Sequence, residues 1–172
     1  MEAPPGLRYR EGMTIPADPS RDAPATVRQA RPLFHRSTSV EHLNTLSRGT
    51  AIESLGIVFT AIGENHLSAT MPVDTRTVQP YGLLHGGSSV LLAETLGSSA
   101  GNLCVPEGSM CVGVEINANH LRGFRDGIVT GTARPLHVGG RTQVWEIRIE
   151  DERGRLACIS RLTLAVVPRP PA

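Results

Sequence analysis

Apolar positions change period twice along this chain. Val40, Leu43 and Leu46 recur every three residues, the stripe of a short helix. Thr38-x-x-Glu41 stands before it at capping-box spacing, and Gly49 follows where the helix should stop. The segments 57–62 and 67–73 read as two strands of a hairpin joined at Gly63-Glu64-Asn65. Helical spacing returns at Val90, Ala93, Gly97 and Ala100, in a longer helix that Pro106 and Gly108 terminate. Four more strands follow, over 110–121, 128–136, 142–150 and 155–167. Gly113 marks a bulge in the first of them. Asp126-Gly127, Gly139-Gly140 and Asp151–Gly154 supply the turns. In 142–150, Trp145, Ile147 and Ile149 alternate with Glu146, Arg148 and Glu150, as in a sheet with one wet face. The pattern predicts an α+β architecture in which an antiparallel sheet packs on one long central helix.

Composition changes this picture at the ends. Residues 1–33 hold Pro4, Pro5, Pro16, Pro19, Pro24 and Pro32 among Arg and Asp, with no apolar period. Such a segment buries too little surface to offset its ordering entropy, so it is expected to be a mobile extension. The domain proper then spans 34–168, with 169–172 as a tail. A net charge of +1 supplies no basic field for nucleic acid or a membrane surface. All 17 basic residues are Arg, which reads as base-composition bias in the gene. Cys104, Cys111 and Cys158 are odd in number and form no Cys-x-x-Cys pair, so buried free thiols in a reducing compartment are expected. The first residues lack the apolar core of a signal peptide and no run reaches membrane-spanning length; the expected location is the cytoplasm. His35 and His42 have no carboxylate or Cys at ligand spacing and read as surface histidines.

The chemistry concentrates in the stretch from Gln79 to Ser98. Pro80, Gly82, Gly86 and Gly87 make it open as a loop, and the helix begins after them. Taken alone, His85-Gly86-Gly87 is a helix cap with flexible glycines. A hydrolase oxyanion loop of the α/β type is excluded, because no Gly-x-Ser-x-Gly elbow and no α/β alternation occur. A third reading uses the helix N-terminus itself: the N–H groups of Gly86 and Gly87 would point outward and stabilise charge on a carbonyl oxygen. Glu94 is the ionisable group on what reads as the packed face of this helix, a placement that costs several kcal/mol unless the carboxylate is paired or working. Ser98 lies one turn on. His85 and Glu94 are about 13 Å apart along the axis and roughly half a turn out of phase. One straight helix cannot bring both to one atom, whereas a symmetric dimer with antiparallel central helices can.

Gln79-Pro-x-Gly-x-x-His-Gly-Gly, with Glu94 and Ser98 at their spacings, resembles the hotdog-fold acyl-CoA thioesterases. The runs 115–122, 135–141 and 154–163 narrow the likeness to the branch that hydrolyses 1,4-dihydroxy-2-naphthoyl-CoA in menaquinone biosynthesis or removes misloaded aryl groups in enterobactin synthesis. It covers about residues 34 to 168. The resemblance implies a hotdog fold, the sheet wrapped around the central helix, and hydrolysis of an aromatic acyl-CoA. It implies that the Gly86 N–H polarises the thioester carbonyl, and that Glu94 of a partner subunit attacks it or activates water. Gln79 and His85 would orient thioester and water, and Ser98 would hold the water. Tyr81 and Gly87 would line the acyl site, with Tyr81 where another aromatic such as Phe is expected, and His120 would either join them or be an ordinary strand-end histidine. Arg122, Gly139, Gly140 and Arg141 would meet the CoA phosphates, the alternative being that Arg122 and Arg141 are solvated surface charges. No metal or bound cofactor is implied. The expected assembly is a homodimer with composite sites, pairing further into a homotetramer. Two rivals share the fold: a hydroxyacyl dehydratase, whose context differs at Gln79 and Ser98, and a non-catalytic acyl-CoA sensor, for which 1–33 offers no helical output module.

Overall fold

A computed structural model describes residues 32–170. The expected mobile extension over 1–33 lies outside them except for Pro32 and Leu33. Leu33 and Phe34 are half-buried and pack against the core. The body begins with two short helices, α1 (Val40–Leu46) and α2 (Ala51–Ser54). The α1 cap is Ser39, whose side chain accepts from the His42 N–H, and not Thr38. The cap therefore sits one residue later than the Thr38–Glu41 spacing suggests. The helix α2 has no apolar period, being a single turn capped by Thr50.

Six strands follow: β1 (Val58–Ile62), β2 (Leu67–Pro72), β3 (Ser109–His120), β4 (Ile128–Val138), β5 (Thr142–Asp151) and β6 (Leu156–Pro168). Between β2 and β3 runs the long helix α3 (Gly86–Leu103). All pairings are antiparallel, in the order β1-β2-β4-β5-β6-β3, so β1 and β3 form the edges. Pairing shifts register between Gly113 and Glu115, confirming the bulge that Gly113 suggested.

The inner face of the sheet closes on α3. Leu92, Ala93, Leu96 and Ala100 of the helix are fully buried with Leu67, Ala69 and Met71 of β2, Trp145, Ile147 and Ile149 of β5, and Leu162 and Leu164 of β6. Small residues set the approach distance. A Cβ on Gly97 would run into Leu162, and one on Gly131 into Leu96. The buried face holds Ala93, Gly97 and Ala100 as the period predicts, with Leu92 and Leu96 beside them, whereas Val90 is only half-buried. Glu94, however, sits beside this face and is half-buried, so it is not a core carboxylate. Its desolvation cost is correspondingly smaller than the sequence implied. At the far end of α3, His35 and Arg36 donate backbone N–H bonds to Leu103 O. The Arg36 guanidinium donates to the carbonyls of Val105, Pro106 and Ser109, a cation placed where the helix carbonyls end. The three cysteines are free and buried. Among the described residues no helix is long and apolar enough to cross a membrane.

Candidate active site

The loop 74–85 positions the N-terminus of α3 through its own hydrogen bonds. The buried Thr77 hydroxyl donates to Pro72 O and accepts from the Asp74 N–H. The Gln79 N–H donates to Leu83 O, and the Gly82 N–H returns to Gln79 O, with Gly82 at φ 74. Leu84 N–H bonds to Phe124 O, and Arg125 Nη1 donates to Tyr81 O at 3.0 Å, tying this loop to the one after β3. His85 N–H donates to Thr77 O at 2.8 Å. The start of α3 is thereby fixed from two sides.

At that start His85 is the N-cap. Its Nδ1 accepts the Gly87 N–H at 2.8 Å, and its ring is exposed. Of the two N–H groups expected to point outward, one is capped and one is free. Gly87 is capped by His85, whereas the Gly86 N–H meets no acceptor among the described residues. His120, at the end of β3, covers this position: a Cβ on Gly86 would stand 2.8 Å from its Nε2. A side chain here would have to push the ring aside. Gln79, Leu83, Leu84, Gly86, Ser89, His120 and Arg122 line a cavity of about 310 Å³ at this end. The Gln79 amide oxygen accepts the Tyr81 N–H, while Tyr81 itself points to solvent at 81% exposure.

The other half of the chemistry lies elsewhere in the same chain. Glu94 Oε1 accepts from Ser98 Oγ at 3.1 Å. Its carboxylate rests on the backbone of Gly113, where an added Cβ would overlap Oε1. Gly86 and Glu94 are eight residues and about 12 Å apart along the axis. Along β3, Gly113 and His120 are about 23 Å apart. Gly139, Gly140 and Arg141 are farther still. Their turn lies beside Ala165 and Val166, which pair with Val112 and Cys111 at the start of β3. Within one chain the structure therefore gathers Gln79, Tyr81, His85, Gly86, Gly87, His120 and Arg122 at one end. Glu94 with Ser98 sits at the middle of the β3 edge, and Gly139–Arg141 at the opposite end.

Three contributors carry no signal as site residues in the sequence. Gly113 was legible as a bulge but not as the seat of Glu94. Arg125 and Ser89 carry no local signal, because their roles come from contacts across the fold. A larger hollow of about 480 Å³ lies between α1, α2 and β1, lined by Glu41, Asn44, Arg48 and Glu53. Its lining carries the carboxylates of Glu41 and Glu53, which disfavour a developing oxyanion, so the smaller cavity is the better site for carbonyl chemistry. The described residues contain no group of three or more His, Cys, Asp or Glu placed to hold a metal.

Comparison with known proteins shows the family. Residues 81–158 match the thioesterase superfamily. The chain is 53% identical over 135 residues to the 1,4-dihydroxy-2-naphthoyl-CoA hydrolase of Escherichia coli, covering 78% of this chain and 99% of that protein. It is also 53% identical over 135 residues to the proofreading thioesterase EntH of Cronobacter sakazakii, covering 78% and 98%. The crystal structure of a thioesterase from Haemophilus influenzae superposes with a TM-score of 0.78 at 52% identity, over 79% of this chain and 95% of that one. The chain belongs to the thioesterase superfamily; it has the hotdog fold, and it is a thioester hydrolase.

Proposed function

We propose that this protein hydrolyses aromatic acyl-CoA thioesters, of the hydroxynaphthoyl or hydroxybenzoyl kind, in a site built from two copies of the chain. One observation carries the reading. The free Gly86 N–H faces a cavity with Gln79 and His120, while Glu94 lies about 12 Å away beside the open edge of β3. A second copy added antiparallel along that edge brings its Glu94 toward the first copy's Gly86. The same operation brings Gly139–Arg141 of one copy to the Arg122 end of the other. Guanidinium groups and glycine backbone then meet the CoA phosphates. The aromatic preference is supported by the substrate of the Escherichia coli relative and by the apolar walls of Leu83 and Leu84.

In this reading the thioester carbonyl oxygen accepts the Gly86 N–H at the positive end of α3, which stabilises the developing oxyanion. Glu94 of the partner subunit either attacks the carbonyl carbon or takes a proton from the attacking water. Ser98 holds its Oε1, and Gln79 and His85 orient the thioester and water. When Glu94 activates water, the C–S bond breaks as water's oxygen bonds the carbonyl carbon, and the proton passes by way of Glu94 to the CoA sulfur. When Glu94 attacks, the C–S bond breaks to leave an acyl–Glu94 anhydride, and the CoA sulfur takes a proton from solvent. Water then hydrolyses the anhydride to free acid and Glu94. Dimers pair further into tetramers, and the buried free thiols fit the cytoplasm.

Thiol release from benzoyl-CoA and a hydroxynaphthoyl-CoA, compared by kcat/KM with aliphatic thioesters, tests the substrate class. Release favouring the aromatic substrates is expected; a dehydratase or a sensor releases none. Refolding His85→Ala with Glu94→Ala chains tests the shared site. Partial recovery of activity is expected, and none in confirmed heterodimers contradicts it.

A further inference from the structure

Each edge of the sheet carries an asparagine side chain in the position of a missing strand. On β1, Phe59 N–H donates to Asn44 Oδ1 at 2.8 Å, and Asn44 Nδ2 donates to Phe59 O at 3.0 Å. On β3, Cys111 N–H donates to Asn102 Oδ1 at 3.0 Å, and Asn102 Nδ2 donates to Cys111 O at 3.3 Å and to Ser98 O at 2.9 Å. A primary amide offers the same donor and acceptor pair as a backbone peptide. It closes the edge at one residue against any further strand.

The position of the β3 plug has a consequence for pairing. Val166 N–H bonds to Arg141 O, so Val166 faces β5 and its partner Cys111 faces outward. Leu121 N–H bonds to Ala157 O, so beyond the bulge the odd residues bond β6 and Ile116, Ala118 and His120 face outward. Before the bulge, Gly113 faces outward with Cys111. The outward residues are thus Ser109, Cys111, Gly113, Ile116, Ala118 and His120. Ser109 is already taken, its N–H by Pro106 O and its carbonyl by Arg36, which leaves five. Five such residues pair best with a second copy about Ile116, which sets Cys111 against the partner's His120. With Cys111 taken by Asn102, four remain. Their two-fold pairing centres on Asn117 and sets Gly113 against the partner's His120.

We propose that Asn102 is a positioning residue that stops the dimer register at Gly113. The inference rests on the shared-site reading above and adds what fixes its alignment. In the Asn117-centred register, the partner's His120, which covers the partner's Gly86, arrives at the residue on which Glu94 is seated. In the alternative it moves one outward step, about 7 Å, past it. Asn44 plugs β1 in the same way, and that strand has only 5 residues against 12 in β3, so association goes through β3.

Cross-linking reads the register without reference to turnover. In the Asn117-centred dimer, the two copies of residue 117 form a non-hydrogen-bonded pair with Cα atoms about 4.5 Å apart, within disulfide range. The full chain carrying Glu115→Cys and Asn117→Cys should give 117–117 links on mild oxidation, identified by peptide mapping. Adding Asn102→Ala, or Asn102→Ser should the first not fold, should cut the 117–117 yield at least tenfold in favour of 115–117 links. It should also lower kcat more than it raises KM. A dimer linked elsewhere with Asn102 intact, or 117–117 links that persist in the Asn102 variants, overturns the inference and leaves the shared site standing. A monomer by sedimentation overturns both.

Discussion

The carboxylate of Glu94 is seated on the backbone of Gly113, with the Ser98 hydroxyl holding its Oε1 from the helix side. The seat exists because the bulged strand offers no side chain there. Gly113→Ala should push the carboxylate aside without disturbing the core, since the clashing atom is the end of a flexible side chain. Turnover per folded protein should fall about tenfold to a hundredfold, the scale of an ångström's misplacement. The melting temperature should move little. Normal turnover in the Gly113→Ala protein would show that the seat is not part of the site.

The segment ahead of α1 divides sharply in its expected contribution. A chain beginning at Pro32 keeps Leu33, Phe34 and Arg36 and should retain the melting temperature and rate of the full chain. Arg36→Ala removes three bonds to the carbonyls that follow α3 and should cost roughly 1–3 kcal/mol. Chemical denaturation of the two proteins side by side checks this. A large loss on removing residues 1–31 would show that they belong to the body.

Alkaline stability should depend on Cys104. Burial first, and then neighbouring Cys111, pushes its thiol from the ordinary 9.0 up to about 12. The folded protein keeps a proton that the unfolded chain releases between those values. Stability is therefore full below about pH 9 and falls as the pH rises toward 12. Cys104→Ala should flatten that fall in urea titrations at pH 8 and pH 10. A thiol reagent at neutral pH should find none of the buried thiols in the native state and all three after unfolding.

Most of the fold was legible because each element carries its own period. The six strands fall within two residues of where alternation and turn residues put them, and Gly113 announced its bulge. What stayed hidden was relational. Helical phase showed that His85 and Glu94 diverge, but not that Glu94 leans on β3, which lies at the sheet edge only because of strand order. His85 was legible as a cap, yet the capped N–H group, Gly87 rather than Gly86, depends on its side-chain conformation. Gly139–Arg141 and Arg122 looked like one phosphate site in sequence; strand register puts them at opposite ends of the chain. Asn102 gave no signal because its partner, Cys111, sits across a helix–strand connection.

The central claim is that Glu94 does the chemistry, and Glu94→Gln tests it most directly. The substitution keeps the shape and the acceptor for Ser98 while removing the charge. Single-turnover hydrolysis of an aromatic acyl-CoA, beside a thermal melt of the same preparation, separates chemistry from stability. The chemical step should fall at least about a hundredfold, with substrate affinity and melting temperature nearly unchanged. A folded Glu94→Gln protein that turns over at the wild-type rate would contradict the account.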